Sequence, residues 1–129
     1  MGTSATKLCS FEVRVILHVP NTFEGQRVSS FISEKLDSYF QGFFACWQAH
    51  MHEEEAESAD SSQFLSVNLE RSCVVVREGE SLHQVMIRGT VVVIGEDVSG
   101  HYECDKGLLT RVLSSAAYCL VLEMKNQLN

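Results

Sequence analysis

The sequence predicts an α+β fold in which an antiparallel sheet carries two helices packed on one face, with the order β-α-β-β(-β)-α. Two observations predict it. Apolar residues alternate with a period of two near the N-terminus and then follow a helical period, and the same change of period recurs in the second half of the chain. At 129 residues the chain fits a single α+β domain, 1–129, with a sizeable core. A sheet of three to five strands is expected, with one face left largely uncovered, and that face is a candidate for self-association together with the last helix.

The first strand is predicted from about Leu8 to Val19, after a polar and flexible N-terminus over residues 1–7. Its odd-numbered positions are apolar, whereas the alternate positions, beginning at Glu12, are mostly polar. One face therefore packs on the core and the other meets water. Pro20 ends the strand, since proline cannot donate a ladder hydrogen bond.

The first helix is predicted from an apolar stripe that runs from Val28 to Met51 in steps of three and four. Asn21 or Thr22 is expected to cap it, because their side chains accept hydrogen bonds from the first turn. Glu24 lies three residues after Asn21, which is the spacing of a capping box.

Residues 52–62 follow this helix and are acidic, with no large apolar side chain, so they predict an exposed loop. The acidic run at 53–60 is also a candidate for docking on a basic protein, although most such runs only solvate a loop.

Strand-like alternation returns at Leu65, and the turn-forming segment 78–81 predicts a hairpin to a strand over 82–94. Arg71 falls on the apolar face of the first of these strands. Either a bulge resets the register there, or that face meets water. Gly89 marks a candidate bulge in the next strand.

The last helix is expected to be capped by Asp105, after a short edge strand at 101–104. The stretch 116–122 is apolar nearly all round, which predicts burial on more than one side. We expect this helix to take part in a homodimer or larger oligomer. The predicted interface residues are Tyr118, Cys119 and Leu122.

Aromatic residues on the first helix could line a pocket for an apolar ligand between the helix and the sheet. The candidates are Phe40, Phe44 and Trp47. At helical spacing such residues more often form plain core, because cavities in small domains are usually filled by side chains.

Metal binding is considered at the end of the first helix, where Cys46, His50 and His52 lie close in sequence. Cys46 and His50 are four apart and share a helix face. A fourth ligand would have to come from elsewhere, and neither HExxH nor CxxC occurs. The sequence therefore predicts no metal and no cofactor.

No catalytic residue is assigned. His101 and Cys104 form a histidine–cysteine pair, yet a nucleophilic cysteine needs a base and a third, orienting group. His18, His83 and Asp105 would serve only if the fold brought them together. The sequence contains no nucleophile elbow and no phosphate-binding glycine loop.

Charge and cysteine content limit the partners. The net charge of −7, with scattered basic residues, argues against direct nucleic-acid binding and fits a basic protein partner. Five cysteines without a pairing pattern favour reduced thiols and a cytoplasmic location. We expect no transmembrane segment. The start of the chain also fits the short and common myristoylation pattern, with Gly2 and Thr6 in place.

These observations favour a small, acidic, soluble protein that acts by protein–protein binding, as an adaptor, an inhibitor or immunity-type protein, or a chaperone-like protein. A non-enzymatic role is favoured. The alternative is a small-molecule-binding or enzymatic domain with an apolar pocket between the aromatic first helix and the sheet.

Overall fold

The computed structural model describes residues 6–54, 65–96 and 104–128, and the side chains of these residues except 50–54 and 128. It is an α+β structure with a three-stranded antiparallel sheet and two helices, as the sequence predicts. The elements are β1 (Thr6–Pro20), α1 (Gly25–Glu54), β2 (Ser66–Arg77), β3 (Leu82–Gly95) and α2 (Lys106–Leu128). The edge strand expected at 101–104 lies largely outside the described residues, and Cys104 is not in a strand.

The strand order is β1-β3-β2, and β3 pairs antiparallel with both neighbours. β1 and β2 therefore run parallel to each other with β3 between them. Helix α1 connects the two across one face of the sheet, and α2 packs beside it on that face, against α1 and β1.

The core forms between this helical layer and the inner face of the sheet. On α1 the buried residues recur every four positions, at 28, 32, 36, 40 and 44, which is the apolar stripe of a helix lying on a sheet. The fully buried side chains include Val19, Val28, Ile32, Leu36, Phe40, Val85, Ile87, Leu113, Leu120 and Met124. Burying each large apolar side chain contributes about 1.5–3 kcal/mol to folding.

The first helix begins later than the capping pattern predicts. Val28 N donates to Glu24 O at 3.0 Å as the first helical hydrogen bond, so α1 begins at Gly25. The Asn21 amide instead donates to the carbonyl of Glu80 in the β2–β3 turn. The predicted capping box is therefore wrong, because the asparagine joins two loops rather than ending a helix.

The other helix ends are closer to expectation. Asp105 caps α2 as predicted, since its Oδ1 accepts from Leu108 N at 3.0 Å and its carbonyl accepts from Leu109 N at 3.1 Å. Helix α1 continues to Glu54, into the segment 52–62 that was expected to be a loop. The remainder of that segment lies outside the described residues.

Helix α2 is long and apolar enough to be a candidate membrane-spanning helix. Within the described residues, the segment Lys106–Gln127 meets the length and composition that a membrane-crossing helix needs. A helix that belongs to a protein core meets the same criteria. In this structure one side of α2, including Leu113 and Leu120, is fully buried against the rest of the protein.

A β-bulge in β2 confirms one of the two alternatives for Arg71. Glu70 pairs with Thr90 and Cys73 pairs with Arg88, so β2 holds one residue more than β3 between these pairs. Arg71 has a φ of 53°, in the left-handed region that side chains other than glycine seldom adopt. The bulge lies in β2, not at Gly89 of β3, although Gly89 lies directly across from it.

The bulge reverses the alternation of β2. Before it, the odd-numbered Val67 and Leu69 are buried under the helices. After it, the even-numbered Val74 and Val76 pack against the core, and Val75 is exposed on the other side. One strand thus supplies core residues in both halves despite the arginine.

Side chains of α1 close the outward edge of β2. Asp37 Oδ1 accepts from Leu69 N at 3.3 Å, and Ser29 Oγ donates to Val74 O at 3.3 Å. Gln41 Nε2 donates to Asp37 Oδ2 and to Asn68 Oδ1. These bonds occupy backbone groups that an edge strand would otherwise offer to another strand.

Candidate functional site

The face of the sheet that points away from the helices, called here the open face, is built from rows of side chains that cross all three strands. The rows follow from the strand register, because residues paired across a sheet lie side by side on the same face. From one end of the sheet to the other they are an acidic row (Glu12, Thr90, Glu70), a basic row (Arg14, Arg88, Cys73), an apolar row (Ile16, Met86, Val75) and an end row (His18, Gln84, Arg77).

The apolar row is exposed at both of its ends. Ile16 is 46% exposed and Val75 is 50% exposed, while Met86 on the central strand is half-buried between them. Contiguous apolar side chains on a surface, rimmed by polar ones, are typical of a contact with another protein. No described helix residue covers this face.

The basic row carries an uncompensated charge. Arg14 and Arg88 face each other directly across β1 and β3, an arrangement of like charges that destabilises a sheet. Among the described residues neither guanidinium has an ion pair with a carboxylate. A partner that supplies carboxylates would relieve this repulsion.

A shallow groove of about 460 Å³ extends across the acidic, basic and apolar rows. Its lining includes Glu12, Arg88 and Met86, together with the bulge residue Arg71. The groove is open rather than enclosed, so it offers a surface for a protein side chain and not a closed chamber for a small molecule.

Helix α2 presents a second exposed apolar area, called here the α2 patch, made by Tyr118 and Leu122 one turn apart. Tyr118 is 58% exposed and Leu122 is 41% exposed, and Cys119 beside them is half-buried. Glu123 lies next to the patch; its Oε1 accepts from Gln127 Nε2, and its buried Oε2 has no hydrogen-bond partner. The three predicted interface residues therefore share one accessible region of the helix.

The aromatic residues proposed to line a pocket lie mostly inside the core. Phe40 is 0% exposed and Phe44 is buried, with its ring centroid 5.5 Å from that of Trp47. Trp47 itself is half-buried. A shallow depression of about 200 Å³ lies beside Phe44, between α1 and the start of β2.

The metal-site candidates can be placed only in part. Cys46 is exposed on α1, and the side chains of His50 and His52 lie outside the described residues. In the described part of the chain, no group of three or more histidine, cysteine or acidic side chains could hold a metal ion.

Cys104 lies next to Cys9, at the end of the sheet where α2 begins. Burial, with a hydrogen bond to the Cys9 thiol, raises the pKa of Cys104 to about 12. A thiol that stays protonated is a poor nucleophile. All five cysteines are unpaired.

The histidines considered as bases for Cys104 are distant from it. Cys9 pairs with Val93, whereas His83 lies ten residues further along β3, or about 33 Å at the usual rise of a strand. His18 belongs to the end row of the open face, near His83. His101 lies outside the described residues. Neither His18 nor His83 therefore lies close enough to Cys104 to act as its base.

His83 has a structural position instead. Its ring is buried, its Nδ1 accepts from Gly79 N at 3.3 Å, and its Nε2 lies 2.9 Å from Phe23 O. The ring therefore joins the β2–β3 turn to the segment that precedes α1, with Nε2 as the donor to the Phe23 carbonyl.

No protein-family model, curated protein or solved structure matches this chain. The open face and the α2 patch are therefore the features of this protein that bear on its function.

The sequence predicts the uncovered face of the sheet as a candidate for self-association, but it does not identify the residues that form it. The alternation of β1 identifies Glu12 and Arg14 as surface positions, but it does not say what lies beside them. The rows depend on the pairing of β1 with β3 and on the bulge at Arg71, and both are properties of strands distant in sequence.

Proposed function

We propose that this protein acts by binding another protein, and that the α2 patch is the surface it uses. The observation that carries this proposal is the exposure of Tyr118 and Leu122 side by side on a helix whose other side is fully buried. A large aromatic ring with an adjacent leucine offers much contact area at little cost in side-chain entropy.

The helix holds this patch in a fixed position. Ala116, Ala117 and Leu120 anchor the same turns in the core and are fully buried. A surface that is already ordered loses little entropy when it binds, so more of the contact energy appears as affinity.

The partner that fits this surface presents an apolar side chain or helix face to Tyr118 and Leu122. The net charge of −7 favours a partner that is basic overall, although the charged side chains of α2 near the patch include Arg111 and Lys125 as well as Glu123. Such a partner would bind faster at low salt, because its charges would be attracted over a distance before contact.

The test compares three forms of the protein as baits in extracts of its native host. The first is unchanged, the second carries Tyr118→Ser with Leu122→Ser, and the third carries Ile16→Ser with Val75→Ser on the open face. A partner that binds the α2 patch is captured by the first and third forms and lost from the second.

The affinity of that partner, once purified, is then measured with each bait. We expect the α2 variant to bind at least about tenfold more weakly, which corresponds to about 1.4 kcal/mol. Equal capture and equal affinity for the α2 variant would contradict the proposal, provided that circular dichroism shows all three forms folded.

A further inference from the structure

We infer that the open face of the sheet is the contact surface for a second copy of this chain, related to the first by a two-fold axis that lies between the acidic and the basic rows. This surface is separate from the α2 patch, and the inference does not depend on the proposed function.

Only one of the simple two-fold arrangements lays both arginines of the basic row over carboxylates. When two copies meet face to face about an axis that runs across the strands, between the rows of Glu12 and Arg14, the basic row of each copy lies over the acidic row of the other. Arg14 then faces Glu12 of the second copy, and Arg88 lies between its Glu12 and Glu70. Such pairs satisfy the guanidinium groups, which have no ion pair with a carboxylate among the described residues of one chain.

Two other arrangements place like charges together. An axis parallel to the strands lays each row on itself, so that Arg88 meets Arg88 and the acidic row meets the acidic row. An axis through the apolar row lays the basic row on the end row, which contains His18 and Arg77. Like charges in contact repel each other, so these arrangements are disfavoured. An axis between the basic and apolar rows leaves Arg14 and Arg88 over apolar side chains, without carboxylates.

The groove of about 460 Å³ extends across the acidic, basic and apolar rows of this face. It provides space for side chains of the second copy. The apolar row lies over the row of Val92 in the second copy; Val92 is only 4% exposed, so this contact adds little and the charged rows decide the alignment.

The alternative of joining copies edge to edge through β2 is blocked. Asp37 and Ser29 of α1 already bond the outward backbone groups of Leu69 and Val74. The outward edge of β2 is therefore a poor site for another strand, whereas contact through the face lets two sheets pack with their strands roughly aligned.

The area of the open face limits the affinity of the dimer. Three strands and the four rows that pair about this axis measure about 14 by 27 Å, or about 380 Å² on each copy. Twice this area, about 760 Å², is below the size of most specific protein interfaces. We therefore expect a weak dimer with a dissociation constant in the high micromolar range, weakened further by salt because charged pairs align it.

The experiment is sedimentation equilibrium of the full chain, whose monomer is 14.4 kDa, from about 1 to 500 µM. One variant carries Arg14→Glu with Arg88→Glu, and another carries Glu12→Arg with Glu70→Arg. Each is expected to raise the dissociation constant at least about tenfold, since like charges then face each other. A chain with all four substitutions exchanges the two rows and is expected to recover the dimer.

The control is the chain with Tyr118→Ser and Leu122→Ser, which should dimerise like the unchanged protein. A monomer at all concentrations would overturn the inference. So would a dimer that persists in both charge variants, a four-substitution chain that stays monomeric while folded, or a dimer that the α2 variant abolishes. None of these results decides whether a different protein binds the α2 patch, so the two proposals fail separately.

Discussion

Leu69 fills the space that a side chain at Gly89 would need. A Cβ built at Gly89 would lie 2.8 Å from Leu69 Cδ1 and 3.3 Å from its Cγ. Gly89 lies across from the bulge in β2, so the glycine allows the leucine to pack into the core where the strand changes its alternation.

Gly89→Ala is therefore expected to destabilise the protein by about 1–3 kcal/mol, because the added methyl group overpacks a filled region. Urea unfolding measures this loss. Gly42→Ala is the matched control: nothing lies within 4 Å of its added Cβ, on an exposed site of α1. There we expect a gain of up to about 1 kcal/mol from helix propensity. Equal effects at the two sites would refute the packing argument.

Phe40 distinguishes a filled core from a ligand pocket. Because its ring is fully buried, Phe40→Ala is expected to cost about 3–5 kcal/mol in the free energy of unfolding. Phe31→Ala, at a half-buried site on the same helix, should cost clearly less. A loss below about 1 kcal/mol at Phe40 would instead favour the ligand-binding alternative, and apolar compounds should then raise the Tm.

Substitution of His83 tests whether its buried ring holds the β2–β3 turn to the segment before α1. In His83→Phe the ring keeps its apolar contacts, but Gly79 N and Phe23 O lose their partner. We expect a loss of about 1–3 kcal/mol in stability. His18→Phe, at an exposed position near the same end of the sheet, is the control and should change stability by less than about 0.5 kcal/mol. Similar losses in both variants would mean that the two hydrogen bonds contribute little.

The raised pKa of Cys104 leads us to expect that the stability of the protein declines at alkaline pH. Its pKa is raised from 9.0 to about 12 by burial in the folded protein, so from pH 9 upward the unfolded chain loses this proton first. The folded state then holds more protons than the unfolded state, and stability falls as the pH rises from about 9 to 12. Urea unfolding at several pH values measures this effect. The free energy of unfolding should fall more steeply with pH for the unchanged protein than for Cys104→Ala. Parallel curves would contradict the shift.

The same thiol is expected to be alkylated slowly. At pH 8 iodoacetamide should modify the exposed Cys46 and Cys73 first and Cys104 late, as followed by mass spectrometry. Rapid modification of Cys104 in the folded protein would show that its thiol is neither buried nor protonated.

Local signals in the sequence predicted local structure well. The cap at Asp105 and the turn at 78–81 depend on residues within a few positions of each other, and both are present. The start of α1 was placed too early because the Asn21 side chain bonds to Glu80, 59 positions away. Nothing near Asn21 in the sequence shows that partner.

The candidate site required information that a single strand does not carry. Arg14 and Arg88 are 74 positions apart, and only the register of β1 on β3 makes them neighbours. Tyr118 and Leu122 could be placed on one face of α2 from the sequence, because a helix brings residues four apart together by itself; their role in an interface stays a prediction. Pairing between strands has no such local rule.

Either the odd-numbered or the even-numbered residues of β2 could face the helices, and the positions of its arginines favour the even-numbered ones in the second half of the strand. If the odd-numbered frame of Val67 and Leu69 continued to the end of the strand, Arg71 and Arg77 would both face the helices. The extra residue at the bulge shifts the strand to the even-numbered frame, so that no charge enters the core. Deletion of Ser72 would remove the bulge and leave Val74 and Val76 on the core side, but it would place Arg71 opposite Gly89, facing the helices. The loss of this one exposed residue is therefore more damaging than an exchange of its side chain, because it carries a guanidinium group into the core.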